Sequence, residues 1–494
     1  MSDKDLEPRH LETLDRDLGR FANLEAAAAY VSRPLVAPGI ALVFIILAGL
    51  AAGMLLGQSG EMLVVVTAAV FGAYMALNIG ANDVANNMGP AVGANALSMG
   101  GAIVIAVIFE SAGALIAGAD VVSTVAKGIV APEALDTPAT FVWAMMAALL
   151  ASALWVNLAT WIGAPVSTTH AVVGGVVGAG VAGAGLGAVN WEQMLAIAAS
   201  WVISPVMGGF VAAAFLWLIK SRIVYREDKI AAARVWVPIL VGIMAGAFTA
   251  YLAMKGLKQL VDISMGAALL LGLLAGFCSW LLMIPVTRRQ SRGLENRNKS
   301  LKVLFGIPLV ASAALLSFAH GANDVANAVG PLAAIVQTVT TGNFNGDVAI
   351  PLWVMLIGAF GISFGLSLFG PKLIHMVGNE ITKLNPMRAY CVALSAAVTV
   401  IIASALGLPV SSTHIAIGAI FGVGFFREWD AERRLNKARV AVPGPEPIPA
   451  DERRRRKLVR RLHVLTIGAA WVVTVPAAAL LSALLFLILR QLSI

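Results

Sequence analysis

The sequence predicts an all-α polytopic membrane protein of about 10–12 transmembrane helices, organised as two repeats with broken or re-entrant helices. Three observations predict it. Of 494 residues, 59% are hydrophobic and only 13% are charged, whereas a soluble chain carries about 25% charged residues. The charges are gathered into short stretches between long apolar runs, and runs of about 20 apolar residues cross a bilayer as helices because open sheets leave backbone groups unpaired in lipid. Finally, GANDVANNMGP at Gly80–Pro90 returns almost unchanged as GANDVANAVGP at Gly321–Pro331.

The elements follow in chain order. Residues 1–33 read as a soluble acidic leader in which Leu11, Leu14, Leu18 and Phe21 recur at helical spacing, an amphipathic helix suited to rest on the membrane face or the bundle. It lacks the basic start and short apolar core of a secretory signal. Residues 34–190 form the first repeat, 191–302 the linking spans and basic loops, and 303–426 the second repeat. Residues 427–464 form an Arg-rich loop containing DERRRRKLVRR, and 465–494 a final transmembrane helix. Apolar pieces at 329–339 and 414–426 are short enough to be half-spans.

The formal net charge of +8 comes from Lys and Arg in three loops, around 220–234, 288–302 and 427–461. Basic loops between spans orient a membrane protein with those loops in the cytoplasm, so the charge implies a lipid bilayer and not nucleic acid as partner. A multi-pass protein of the cell (inner) membrane is expected. The two cysteines, Cys278 and Cys391, lie in apolar spans without a paired motif and read as inert buried thiols.

A second repeated motif shares the order and spacing of the first. GAPVSTTHAVVGG at Gly163–Gly175 matches GLPVSSTHIAIGA at Gly407–Ala419. Pro409 lies 244 positions after Pro165, close to the 241 that separate Gly321 from Gly80. An ancestral unit was doubled, and one site built from both halves is the arrangement expected of a transporter.

The chemistry of the two motifs differs. Asn82, Asp83 and Asn86, with Asn323, Asp324 and Asn327, supply carboxylate and amide oxygens at membrane depth, where polar groups are costly and usually functional. Oxygen ligands suit hard monovalent cations such as Na+. The flanking Gly and Gly-Pro predict a helix broken on both sides of this motif. In the second motif, Ser167, Thr168 and Thr169, matched by Ser411, Ser412 and Thr413, stand after a proline and read as helix starts. Hydroxyls and free N–H groups at a helix N-terminus form an anion site without Lys or Arg. His170 and His414 read as structural. His320 has no partner in the first half, where Ile79 stands. Glu110, a lone acid in an apolar span, is a candidate coupling-ion or proton site on one side only.

At these residues the chain resembles the inorganic phosphate transporter (PiT) family, whose paired signatures look like the two GANDVAN segments and the PVSTTH and PVSSTH segments. The resemblance spans about Met62–Phe426 and the last span. It implies inverted repeats with phosphate between them near the membrane midplane. It further implies that Asp83, Ser167, Thr168, Thr169, Asp324, Ser411, Ser412 and Thr413 surround phosphate, while Asn82, Asn86, Asn323 and Asn327 help hold the coupling cation. Some relatives carry a Glu where Ala393 stands here, so coupling stoichiometry is not carried over.

The expected function is therefore symport of inorganic phosphate with Na+ or H+ by alternating access. No enzyme activity, no cofactor and no metal beyond Na+ are expected, and a homo-oligomer is left open. The same fold carrying sulfate or another oxyanion is the main alternative. A hydrolase using Ser167, His170 and Asp83 is remote, because a nucleophile has no need of a duplicated constellation. A passive channel would show a continuous polar lining, and none is obvious.

Overall fold

The computed structural model describes residues 35–55, 61–164, 166–256, 263–342, 350–376, 384–441 and 461–492. The expected leader helix, Pro165 and most of the Arg-rich run lie outside the described residues. Among the described residues the protein is helical, with one isolated bridge between Val130 and Val189. Eleven helices among the described residues are long and apolar enough to cross a membrane.

In chain order, α1 (Leu35–Leu55) leads into α2 (Met62–Gly93) and α3 (Met99–Ala117). A short α4 (Ala119–Ser123) precedes α5 (Pro138–Ile162) and α6 (Thr168–Ala184). Next come α7 (Trp191–Ile219), α8 (Lys229–Lys255) and α9 (Met265–Gln290). After a single turn, α10 (Leu301–Leu304), come α11 (Gly306–Asp324), α12 (Ala326–Thr341), α13 (Leu352–Met376), α14 (Pro386–Ala405), α15 (Ser412–Ala441) and α16 (Arg461–Leu492).

The two halves clasp each other through reciprocal contacts. A side chain on Gly80 of α2 would strike the carbonyl of Ile362 in α13, and one on Gly321 of α11 would strike the carbonyl of Glu110 in α3. Gly365 abuts the carbonyl of Leu77 and Gly113 that of Phe318 in the same reciprocal way. Second-motif helices repeat the exchange: Gly174 and Gly178 of α6 meet Val475 and Ala479 of α16, while Gly418 and Gly422 of α15 meet Pro205 and Gly209 of α7. Small residues let backbones approach closely where lipid supplies no hydrophobic drive between helices. Each contact has a partner exchanged between halves, which defines a pseudo-two-fold axis. Ser111 and Ser363, equivalent by these contacts, hydrogen-bond to each other at 2.7 Å, and the equivalent His170 and His414 rings lie 4.4 Å apart.

These contacts explain a departure from the expected breaks. The first GANDVAN segment runs unbroken through α2, with Pro90 in its last turn, and the second is interrupted only at Val325. Gly80 and Gly321 are there for close packing rather than to break a helix. The breaks lie at the second motif, where α5 turns back into α6 and α14 into α15. Gly163 and Gly407 sit at those turns with φ of 75° and 68°, a left-handed conformation that glycine adopts without strain. The half-spans also grow: 329–339 belongs to α12, and α15 extends well past 426. Cys391 is buried as expected, but Cys278 is exposed on the outward face of α9.

Candidate functional site

The site forms where α2 and α11 cross the starts of α6 and α15. All twelve motif residues expected there are buried and brought together: Asn82, Asp83, Asn86, Ser167, Thr168, Thr169, Asn323, Asp324, Asn327, Ser411, Ser412 and Thr413. Glu110 joins them from α3.

Each half supplies a helix start aimed at a carboxylate. Ser167 caps α6 by accepting from the His170 N–H at 3.1 Å, and Ser411 caps α15 by accepting from the His414 N–H at 3.3 Å. The capping oxygens are thereby used while their protons remain available, beside the free N–H groups of each first turn. Thr168 donates to Asp83 at 2.9 Å, and Ser412 donates to Asp324 at 3.0 Å.

Amides then tie the halves across the axis. Asn86 donates to Thr413 at 2.8 Å and Asn327 to Thr169 at 3.1 Å. Asn82 donates to Thr160 at 2.9 Å, and its equivalent Asn323 to Ser404 at 2.9 Å. Thr413 also donates to Asp83 at 2.8 Å, whereas Thr169 turns to the carbonyl of Val410 at 3.0 Å. Oxygen atoms on Asn82, Asn327 and Asp324 have no hydrogen-bond donor among the described residues. Buried oxygens left as acceptors only are groups a cation can satisfy.

His320 lies at the centre, which the sequence reading undervalued. Its Nε2 is 2.9 Å from Asp324 and 3.9 Å from Asp83, and its Nδ1 is 3.3 Å from Glu110. Ligand atoms of Asp83, His320 and Asp324 lie within 4.8 Å of one another, close enough to hold one metal ion. Asn87 completes the group by donating to Glu110 at 2.9 Å. The signal available for His320 was its place four residues before Asp324, on the same helix face. The hydrolase constellation is arranged otherwise. Asp83 takes its bonds from Thr168 and Thr413, and the His170 ring packs 3.8 Å from Trp201.

Comparison with known proteins supplies an independent line. A model of a phosphate transporter family matches residues 79–482. A provisionally named phosphate permease of Helicobacter pylori is 45% identical, with 96% of this chain and 98% of that protein covered. Another provisionally named phosphate permease, from Thermococcus kodakarensis, is 36% identical over 85% of this chain and 96% of its own. Among solved structures, a sodium-dependent phosphate transporter superposes with a TM-score of 0.78 at 32% identity, covering 87% of this chain and 99% of its own.

Proposed function

This chain belongs to the phosphate transporter family, and from that premise we propose that it imports inorganic phosphate with a monovalent cation by alternating access in the cell (inner) membrane. One observation carries the reading: each half brings a hydroxyl-capped helix start onto a buried carboxylate, and both pairs face one axis. Phosphate would take the protons of Ser167 and Ser411 and the free N–H groups behind them, and those of Thr168, Thr169, Ser412 and Thr413 as these hydroxyls turn to it from Asp83, Val410 and Asp324. Neutral donors hold an oxyanion without the grip of Arg, which suits release.

The halves are read as inverted. α2 runs parallel to α13, since Gly361, Gly365 and Gly370 meet Ala76, Leu77 and Val84 in that order. By the same test α3 runs parallel to α11, with Gly113 on Phe318 and Gly118 on Val325. If the short link 94–98 reverses the chain between α2 and α3, α2 and its equivalent α11 point oppositely. Opposed repeats allow one half to rock against the other around a fixed site.

Two carboxylates beside an anion need a physical reason. Bound cations at Asp83 and Asp324, completed by Asn82, Asn86, Asn323 and Asn327, would neutralise them and make anion entry depend on the cation. Each carboxylate can also accept a hydrogen bond from the hydroxyl that inorganic phosphate retains near neutral pH, because its last proton leaves only far above neutrality. Sulfate has no such proton, so an ionised Asp would reject it. The acceptor-only oxygens and the sodium dependence of the structural neighbour favour Na+ over H+. Glu110 with His320 is the place where a proton would act instead.

Phosphate uptake into proteoliposomes under an imposed Na+ or H+ gradient, applied separately, tests the reading. Uptake driven by Na+ is expected, and uptake driven by neither removes the symport claim. Competition by sulfate separates the oxyanion alternative.

A further inference from the structure

Two polar residues on α2 that the motif does not require, Tyr74 and Asn78, extend the row of its Asn82 and Asn86. Tyr74, Asn78, Asn82 and Asn86 recur every four residues, so they lie one above another on a single stripe. Asn78 donates to the carbonyl of Tyr74 at 2.8 Å and accepts from Asn157 of α5 at 3.0 Å. Asn157 is exposed, while Asn78 retains only 4% exposure. The next step is Asn82, bonded to Thr160 on the same face of α5. Amides thus stand in succession from the exposed Asn157 on α5, through Asn78, to Asn82, the chain neighbour of Asp83. An amide exposed within a transmembrane helix is costly against lipid and is tolerated where it lines a hydrated crevice.

The other half has no such succession. By the offsets that the reciprocal bonds establish, Tyr74, Asn78 and Asn157 correspond to Leu315, Ala319 and Ile401. That surface is sealed instead by the linking helix α8. Phe248, Tyr251 and Leu252 pack with Phe318 and Ile401, and the Phe248 and Phe318 rings meet edge-on at 5.0 Å. The site itself is also slightly more open on the amide side: Asn82 and Asn86 keep 4% and 7% exposure, against 1% each for Asn323 and Asn327.

We propose that Asn157, Asn78 and Asn82 form the approach path by which the coupling cation reaches and leaves the carboxylates, on one side of the pseudo-two-fold axis only. The inference rests on the reading of the site as cation-coupled. Amide oxygens replace the waters of a hard cation one at a time, so desolvation is spread over steps instead of falling on one barrier. The Asn82 oxygen that lacks a donor is the last of these ligands before Asp83.

A path residue changes rates in both directions and leaves the bound state alone, which separates it from a binding residue. In Asn78→Ala and Asn157→Ile, the KM for Na+ in phosphate uptake should rise about fivefold while the equilibrium Kd for Na+ stays unchanged. A rise in Kd as large as the rise in KM would overturn the proposal. Should either variant fold poorly, thiol labelling decides. In a background of Cys278→Ser and Cys391→Ala, an impermeant charged thiol reagent should modify Asn157→Cys and Asn78→Cys from one face of the proteoliposome, and should not modify Ala319→Cys from that face. No labelling at Asn157→Cys, or equal labelling of Ala319→Cys from the same face, sinks the path. Labelling does not depend on which anion is carried. A wild-type protein that takes up no phosphate would therefore defeat the transport reading separately.

Discussion

The two carboxylates of the site sit in equivalent positions and unequal surroundings. Asp83 receives two hydroxyls, from Thr168 and Thr413. Asp324 receives one hydroxyl, from Ser412, and lies against His320. The difference is built by three neighbouring positions. His320, Glu110 and Asn87 cluster where α3 meets α11, and their equivalents where α13 meets α2 are Ile79, Ile362 and Ala328. Duplication therefore supplied the paired frame proposed to hold an anion, and later divergence placed one ionisable pair on one side of it. The hydroxyls and carboxylates should behave alike in both halves, and the His320–Glu110 pair should not.

The largest effects test the likeness. Asp83→Asn and Asp324→Asn should each lower phosphate uptake by about 100-fold, the scale of a lost charge-assisted hydrogen bond with its desolvated partner left behind. Each should also let sulfate compete. Normal uptake and normal discrimination in Asp324→Asn would break the selectivity argument.

The next test reaches the unlike part. Glu110→Ile or His320→Ile alone strands a buried polar partner, at a cost of about 1–3 kcal/mol in unfolding free energy. The double change copies the other half and should recover part of that loss. Unfolding of the purified protein measures the coupling, and strict additivity would mean that the pair does not act as a unit.

Smaller effects are expected at the caps. Ser167→Ala and Ser411→Ala each remove a helix cap worth about 1 kcal/mol, so uptake should fall about fivefold in both. Total loss from only one of them would point to a nucleophile instead of a shared binding site.

The smallest effect lies far from the site. α6 stops at Ala184, but α15 runs on and is pinned to the end of α7 through Asp430, which receives Lys220 and Tyr225. Burial would raise the Asp430 carboxyl, but the bonds from Lys220 and Tyr225 outweigh it and hold it below the usual carboxylate range. Burial, then Asp430, pushes the Tyr225 phenol up to about 12. A carboxyl depressed in the folded state stabilises above its unfolded pKa of about 4, and that contribution fades as pH falls through the lower folded value. Asp430→Asn should cost about 0.5–1 kcal/mol at pH 7, with the difference from wild type narrowing below about pH 4. A constant difference across that range would remove the carboxylate from the account.

Much of the site was legible because it was written twice. Asp83 with Asp324, and the hydroxyls with their partners, announce themselves as a matched set whose order and spacing agree. The same signal hid His320, since a residue facing Ile79 in the alignment of halves counts for less. Its importance depends on α3 packing against α11, a contact between segments more than 200 positions apart. The glycines misled for a related reason. In sequence, Gly80 and Pro90 look like helix breakers, and only the carbonyl of Ile362 lying over Gly80 reveals a packing role. Nor could α8 be assigned as the cover over Phe318 and Ile401, because linking spans carry no repeat to place them.

Equilibrium binding of labelled phosphate to the purified protein, in saturating Na+, measures whether the two halves make one site. One phosphate per chain is predicted, with binding abolished by Asp83→Asn and by Asp324→Asn alike. Two phosphates per chain, or half of the binding surviving either substitution, would contradict it.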